Sequence, residues 1–286
     1  MIFDTTQIPA AVRFIVYLGI TVTIFSCSPR KVVRGVDDTT SAFDPDAFAR
    51  TCALAEDFTL DDRLAWRSTD SIMAEKPMRL DSLDQTWFVD KRGAARYVFY
   101  GRYFSGSVDY RVKYVFRSDT PGTVVRLPGA ADSRAVRFAR AVSAANAVFR
   151  HLVDSMQVNV DYNHYIRENV DGTFSIWFFP AGYGTYCAHG LDFHLSVDSS
   201  GSAVTGQEVV GAYLRYFEID KREQTVELDN TYAATPSLGN VFFVLMNRDR
   251  FDRIVIFNSR STSTMVYSKE KGAWEWVQGE GNSDRQ

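Results

Sequence analysis

The sequence predicts an α+β fold: a largely antiparallel sheet with one long amphipathic helix, about 132–156, packed on a face. Three observations support it. Phe138, Val142, Ala145, Phe149, Leu152 and Met156 recur at spacings of four and three, which lines them along one side of a helix. Most of 160–277 reads as strands, and around Leu191, Phe193, Leu195 and Val197 apolar and polar residues alternate with the two-residue period of a half-buried one. The breaks between those strands are short, which favours hairpin neighbours over crossovers.

In chain order, residues 27–50 are rich in Asp, Thr, Ser and Arg around Pro29 and Pro45 and read as a flexible tether. The carboxylates of Asp37-Asp38 and Asp44-Pro45-Asp46 lack the complete calcium-loop pattern and read as solvated spacer. A globular domain is expected over 51–286, with a sub-boundary near 118–131. It opens in ambiguous helical turns. Strands at 97–104 and 108–116 then flank Ser105-Gly106-Ser107. In the second of them Val108, Tyr110, Val112, Tyr114 and Phe116 alternate with Asp109, Arg111 and Lys113. Asp132 or Ser133 can cap the helix that follows. Arg134, Arg137, Arg140 and Arg150 fall mostly off its apolar stripe and read as a solvated face. Asp171-Gly172 is a hairpin signal between strands at 162–167 and 173–179. Leu191, Phe193, Leu195 and Val197 alternate with Asp192, His194, Ser196 and Asp198. Further strands are expected at 212–219, 241–246, 253–257, 264–268 and 273–277, with the apolar run 242–246 as a buried one.

Composition narrows the function. Hydrophobic residues make up 45% and aromatics 14% of the 286 residues, enough for a core. A net charge of −3 and a pI near 5.9 argue against a nucleic-acid partner, which selects basic faces. No P-loop and no Gly-x-Ser-x-Gly elbow occurs, and Gly182-x-Gly184-x-x-Cys187 lacks the third glycine of a dinucleotide fingerprint, so no cofactor is expected.

The N-terminus reads as an address. Arg13 supplies positive charge, residues 14–25 are uncharged, and Ser26-Cys27 follow. That run suits the core of a signal peptide and falls short of the ~20 residues a spanning helix needs. A retained anchor is the alternative; it would carry Pro9 and Arg13 into hydrocarbon. Ile24-Phe25-Ser26-Cys27 resembles the lipobox of bacterial lipoproteins, with an aliphatic residue three before the cysteine and a small one directly before it. The resemblance implies cleavage after 26, diacylation of Cys27 and, with Ser28 rather than aspartate next, an outer-membrane destination. The partner it implies is a membrane reached through N-terminal lipid. Each buried acyl methylene contributes about 0.8 kcal/mol, so two or three chains hold firmly.

Residues 130–277 also resemble a loose group of uncharacterised exported bacterial proteins. The shared pattern is a long helix, a strand, Asp171-Gly172-Thr173-Phe174, an aromatic strand ending in Pro180-Ala181, then Gly190-x-Asp192 leading to Asp198-x-Ser200-Gly201. These are turn motifs, so the resemblance implies a fold and no activity.

Candidates for chemistry concentrate in 182–194. Cys187 and His189 lie two apart, so an extended segment would point both the same way, as nucleophile and base. His189, Asp192 and His194, with Cys187, are zinc-type donors, although their spacing matches no familiar module. With Cys27 lipidated, Cys52 and Cys187 are the remaining pair for a disulfide; two separate buried thiols are the other reading. The aromatic strand 97–104 could stack on sugar or simply pack a core. The expectation is a lipid-anchored envelope protein with a non-catalytic binding or structural role. A hydrolase using Cys187 and His189, and a metal-binding lipoprotein using the same loop, are the alternatives.

Overall fold

The computed structural model describes residues 43–75, 86–120, 122–182, 185–211, 213–219, 225–230, 233–259, 261–268, 271 and 273–280. The expected signal segment, Cys27 and most of the tether lie outside the described residues.

Within that span the chain is α+β and dominated by sheet. In order run α1 (Pro45–Glu75), β1 (Thr86–Arg92), β2 (Ala95–Phe104), β3 (Asp109–Ser118), β4 (Val125–Leu127), α2 (Ser133–Met156), β5 (Tyr162–Glu168), β6 (Phe174–Pro180), β7 (Tyr186–His189) and β8 (Asp192–Val197). Then come β9 (Val204–Val210), β10 (Arg215–Glu218), β11 (Thr225–Asn230), α3 (Leu238–Asn247), β12 (Arg253–Asn258), β13 (Ser261–Ser268) and β14 (Ala273–Glu280). The strands form a sheet β1-β2-β3-β4, a second β5-β6-β8-β9, a ribbon β7-β10, and a fourth sheet β11-β12-β13-β14. Every pairing is antiparallel except β11 with β12.

Helix α2 forms where its apolar spacing places it. Asp132 is the N-cap and accepts from the Ala135 amide, and Gln157 ends the helix in the left-handed region. Its stripe of Ala135, Phe138, Val142 and Ala145 is buried on the first and second sheets, among Phe88, Phe99, Ile176 and Phe193. Phe138 meets Phe174 edge-on at 5.1 Å, and truncating such a ring costs about 3–5 kcal/mol.

Helix α1 covers other strand surfaces. Leu64 and Ile72 pack with Val89, Val98 and Phe116, and Ala55 and Phe58 with Tyr165, Phe179 and α3. It starts before the expected domain boundary, inside the residues read as tether. Asp44 accepts from the amides of Asp46 (3.0 Å) and Ala47 (2.9 Å), and Pro45 takes the first helical position. Asp44-Pro45-Asp46 is therefore a helix start, not a solvated spacer.

The run 242–246, expected as a strand, is instead the middle of α3. Ser237 caps it by accepting from the Asn240 amide, and Val241, Phe242, Val244 and Leu245 are all buried. A helix enclosed on every side has no polar face to reveal its period. It also supplies the crossover that parallel β11 and β12 require. No helix among the described residues is long and apolar enough to cross a membrane.

Candidate functional site

The 187–194 segment is the first place to look for chemistry. Cys187 and His189 share one face of β7, as their spacing implied, opposite Phe217 and Arg215 of β10. That face is dry. The Cys187 thiol donates to the Phe217 carbonyl at 3.7 Å inside an apolar cluster, and burial pushes it up to about 11. His189 stands edge-on to Phe243 at 4.9 Å, with Nε2 3.3 Å from the Asn240 amide nitrogen. Burial, helped by Arg215, lowers it to about 3. A thiol that resists ionising beside an imidazole that resists protonation is the reverse of an activated pair. Cys52, partly buried against the same cluster, is also a free thiol, raised to about 11 by burial and Glu56.

The other two candidates point elsewhere. Asp192 is buried against the start of α3: a methyl built on Gly239 would come within 1.7 Å of its Oδ2. Burial pushes this carboxyl up to about 8. His194 stacks on Trp177 at 4.9 Å, with Nδ1 3.9 Å from Glu208, and burial lowers it. Backbone strain shapes the connection between β7 and β8. Gly190 has φ 88°, where a Cβ would meet the Tyr213 carbonyl at 2.1 Å, and Leu191 has φ 55°. Among the described residues no three His, Cys, Asp or Glu side chains gather to hold a metal ion.

A different constellation centres on α1 and β5. Asp57 and Asp61, one helical turn apart, face Arg96 from β2 and Arg167 from β5. Arg167 Nη2 stands 2.7 Å from both carboxylates, Arg96 Nε 2.9 Å from Asp61, and Lys91 Nζ 2.9 Å from Asp57. Burial would raise Asp57, but Arg167, Lys91 and Arg96 together hold it below the ordinary carboxylate value. Asp61 is deeper, and there burial prevails over Arg167 and Arg96 and raises it. Tyr165 donates to the neighbouring Asp62 at 2.7 Å.

A second set of ion pairs lies under α2. Arg134 and Arg92 both hold Asp90, which is fully buried, and Arg134 and Arg137 both grip Glu168. The arginines expected on a solvated face are thus partly turned inward onto carboxylates. Arg140, likewise, donates to the Tyr103 hydroxyl at 3.1 Å.

The two networks meet where β1 and β5 end. These strands run alongside each other, joined by His164 Nε2 donating to the Trp87 carbonyl at 2.6 Å; burial lowers His164 to about 4. At their ends opens a cavity of about 460 Å³, bounded by Lys91, Arg134, Arg167 and Glu168, by Asn169, Val170 and Gly172, and by the apolar Phe138 and Ile166. Three cations and one carboxylate line it. Its residues come from three separate stretches of sequence, so spacing alone carried no sign of it. The arginines of α2 were the nearest signal. No protein-family model, curated protein or solved structure matches this chain.

Proposed function

We propose that this chain is a lipid-anchored protein of the bacterial cell envelope, non-catalytic, that binds a small organic acid at the ends of β1 and β5. The cavity there carries the ligand half of the reading. Its volume, about 460 Å³, falls in the range of small-molecule sites. Lys91, Arg134 and Arg167 outnumber Glu168, so an acid is favoured over a base, and Phe138 and Ile166 suit an apolar body. Arg134 and Arg167 are already engaged with carboxylates, whereas Lys91 is the most exposed of the three and shares Asp57 with two arginines. Lys91 can therefore turn to a ligand at little cost. The anchoring half rests on sequence, on the uncharged run 14–25 and on Ile24-Phe25-Ser26-Cys27.

The acid reading is tested by calorimetric titration of the full chain in non-ionic detergent with 3-phenylpropionate and with its neutral amide. A charge-assisted hydrogen bond is worth about 1.5–3 kcal/mol, so the acid should bind at least tenfold tighter and Lys91→Met should remove that preference. Equal binding of acid and amide, or no binding of either, would contradict it. The anchor is tested by palmitate labelling in cells: wild type should take up label and Cys27→Ser should not, and equal labelling would sink the lipoprotein reading.

A further inference from the structure

A second cleft, of about 190 Å³, lies between α1 and the chain around the β3–β4 connection. Arg63, Arg67, Arg96, Asp119, Thr120 and Gly122 are among its walls. Its charge is unbalanced. Arg96 is committed to Asp57 and Asp61. Asp119, the only carboxylate among the described residues lining the cleft, is held by Arg117 at 2.8 Å. That leaves Arg63 and Arg67, for which no side-chain ion pair or hydrogen bond exists among the described residues. Around the same sheet Arg92, Arg96, Arg117 and Arg126 each grip a carboxylate. Two like charges one helical turn apart weaken a helix by a few tenths of a kcal/mol; Asp62 offsets part of this at Arg63, and neither guanidinium is tied to a carboxylate among the described residues. Arg67 lies over Gly122: a Cβ there, at φ 96°, would come within 2.6 Å of its Nη1. Its guanidinium thus lies against backbone that only glycine allows.

We propose that this cleft binds a phosphate group, through Arg63 and Arg67. Each guanidinium presents a planar fork of N–H donors. Carboxylates in this fold also take two guanidiniums, as Glu168 does, but a tetrahedral phosphate brings more oxygens and more negative charge to engage both forks. The site is separate from the acid pocket and rests on its own residues. The phosphate could be a free anion or the headgroup of a lipid, and the chemistry is the same.

The test is calorimetric titration of the full chain in non-ionic detergent, at low ionic strength, with inorganic phosphate and with dihexanoyl phosphatidylglycerol. Saturable binding of inorganic phosphate supports the site with a soluble anion as ligand. Binding of the phospholipid alone supports it with a headgroup as ligand. In either case Arg63→Gln with Arg67→Gln should weaken binding at least tenfold, added sodium chloride should weaken it further, and the double lysine variant should fall between. Both arginines are exposed and unpaired, so the thermal midpoint should not move; the lysine variant keeps the test valid if the glutamine pair lowers it. No binding of either probe, or wild-type affinity in both double variants, overturns the proposal.

Discussion

The stretch from β7 into β8 holds a thiol, two imidazoles and a carboxyl close together in sequence, while the α1–β5 network holds acids and bases drawn from distant segments. Only the first looks like a reactive site on paper. In the fold their environments reverse that impression. Cys187 and His189 are enclosed by apolar side chains, and both are driven toward their uncharged forms. Asp57, Arg96 and Arg167 each have opposite charges at hydrogen-bond distance, which hold the Asp57 carboxyl below its ordinary value, and open cavities adjoin the arginines. Proximity in sequence supplied residue types; burial and charge balance decided what they can do.

The largest expected effect breaks the charged region. Arg167→Leu leaves buried Asp61 and half-buried Asp57 with fewer cations, and should lower stability by roughly 3 kcal/mol in urea unfolding. Cys187→Ala, which removes one sulfur from an apolar cluster, should cost nearer 1 kcal/mol. Equal losses would erase the contrast between the regions.

Asp192 sharpens the comparison through pH. Its folded value near 8 stands above its ordinary value of 3.8. Between the two, the unfolded chain has released the proton that the folded chain keeps, so stability falls as pH rises and levels off above about 8. His164, His189 and His194, all lowered by burial, bind more protons unfolded than folded through this window and pull stability the other way, so Asp192 is read from the difference between the wild type and Asp192→Asn. Between pH 6.5 and 8 the wild type should lose roughly 2 kcal/mol relative to Asp192→Asn. Parallel wild-type and Asp192→Asn curves in that window would refute the assignment.

A smaller effect concerns the thiol itself. With its value raised from 9.0 to about 11, folded Cys187 should hold about a hundredfold less thiolate than an unfolded chain at neutral pH. Alkylation by iodoacetamide, read by peptide mass, should be slower by at least that factor until denaturant is added. Rapid labelling of the folded chain would restore thiol chemistry to the segment.

How much of this was legible in the sequence follows from what each element buries. Helix α2 and the Asp171-Gly172 hairpin were readable because their buried faces are apolar and their caps and turns are conventional. Helix α1 was opaque because its buried face includes Thr59, Asp61, Asp62 and Ser68, which break the apolar period. Helix α3 has the opposite fault: its run is apolar throughout, and length alone cannot separate a short buried helix from a strand. The ion-pair network spans Asp57 to Arg167, and such pairings depend on the register of strands that no local pattern encodes. The spacing of Cys187 and His189 correctly placed both on one face of β7, but not what that face packs against.

The central claim is that binding resides at the ends of β1 and β5 and not in the 187–194 segment. Titrating 3-phenylpropionate into the wild type, Lys91→Met and Cys187→Ala chains tests it most directly. Cys187→Ala should bind like the wild type, while Lys91→Met should bind about tenfold more weakly, a difference of about 1.4 kcal/mol. Loss of binding in Cys187→Ala with retention in Lys91→Met would contradict it.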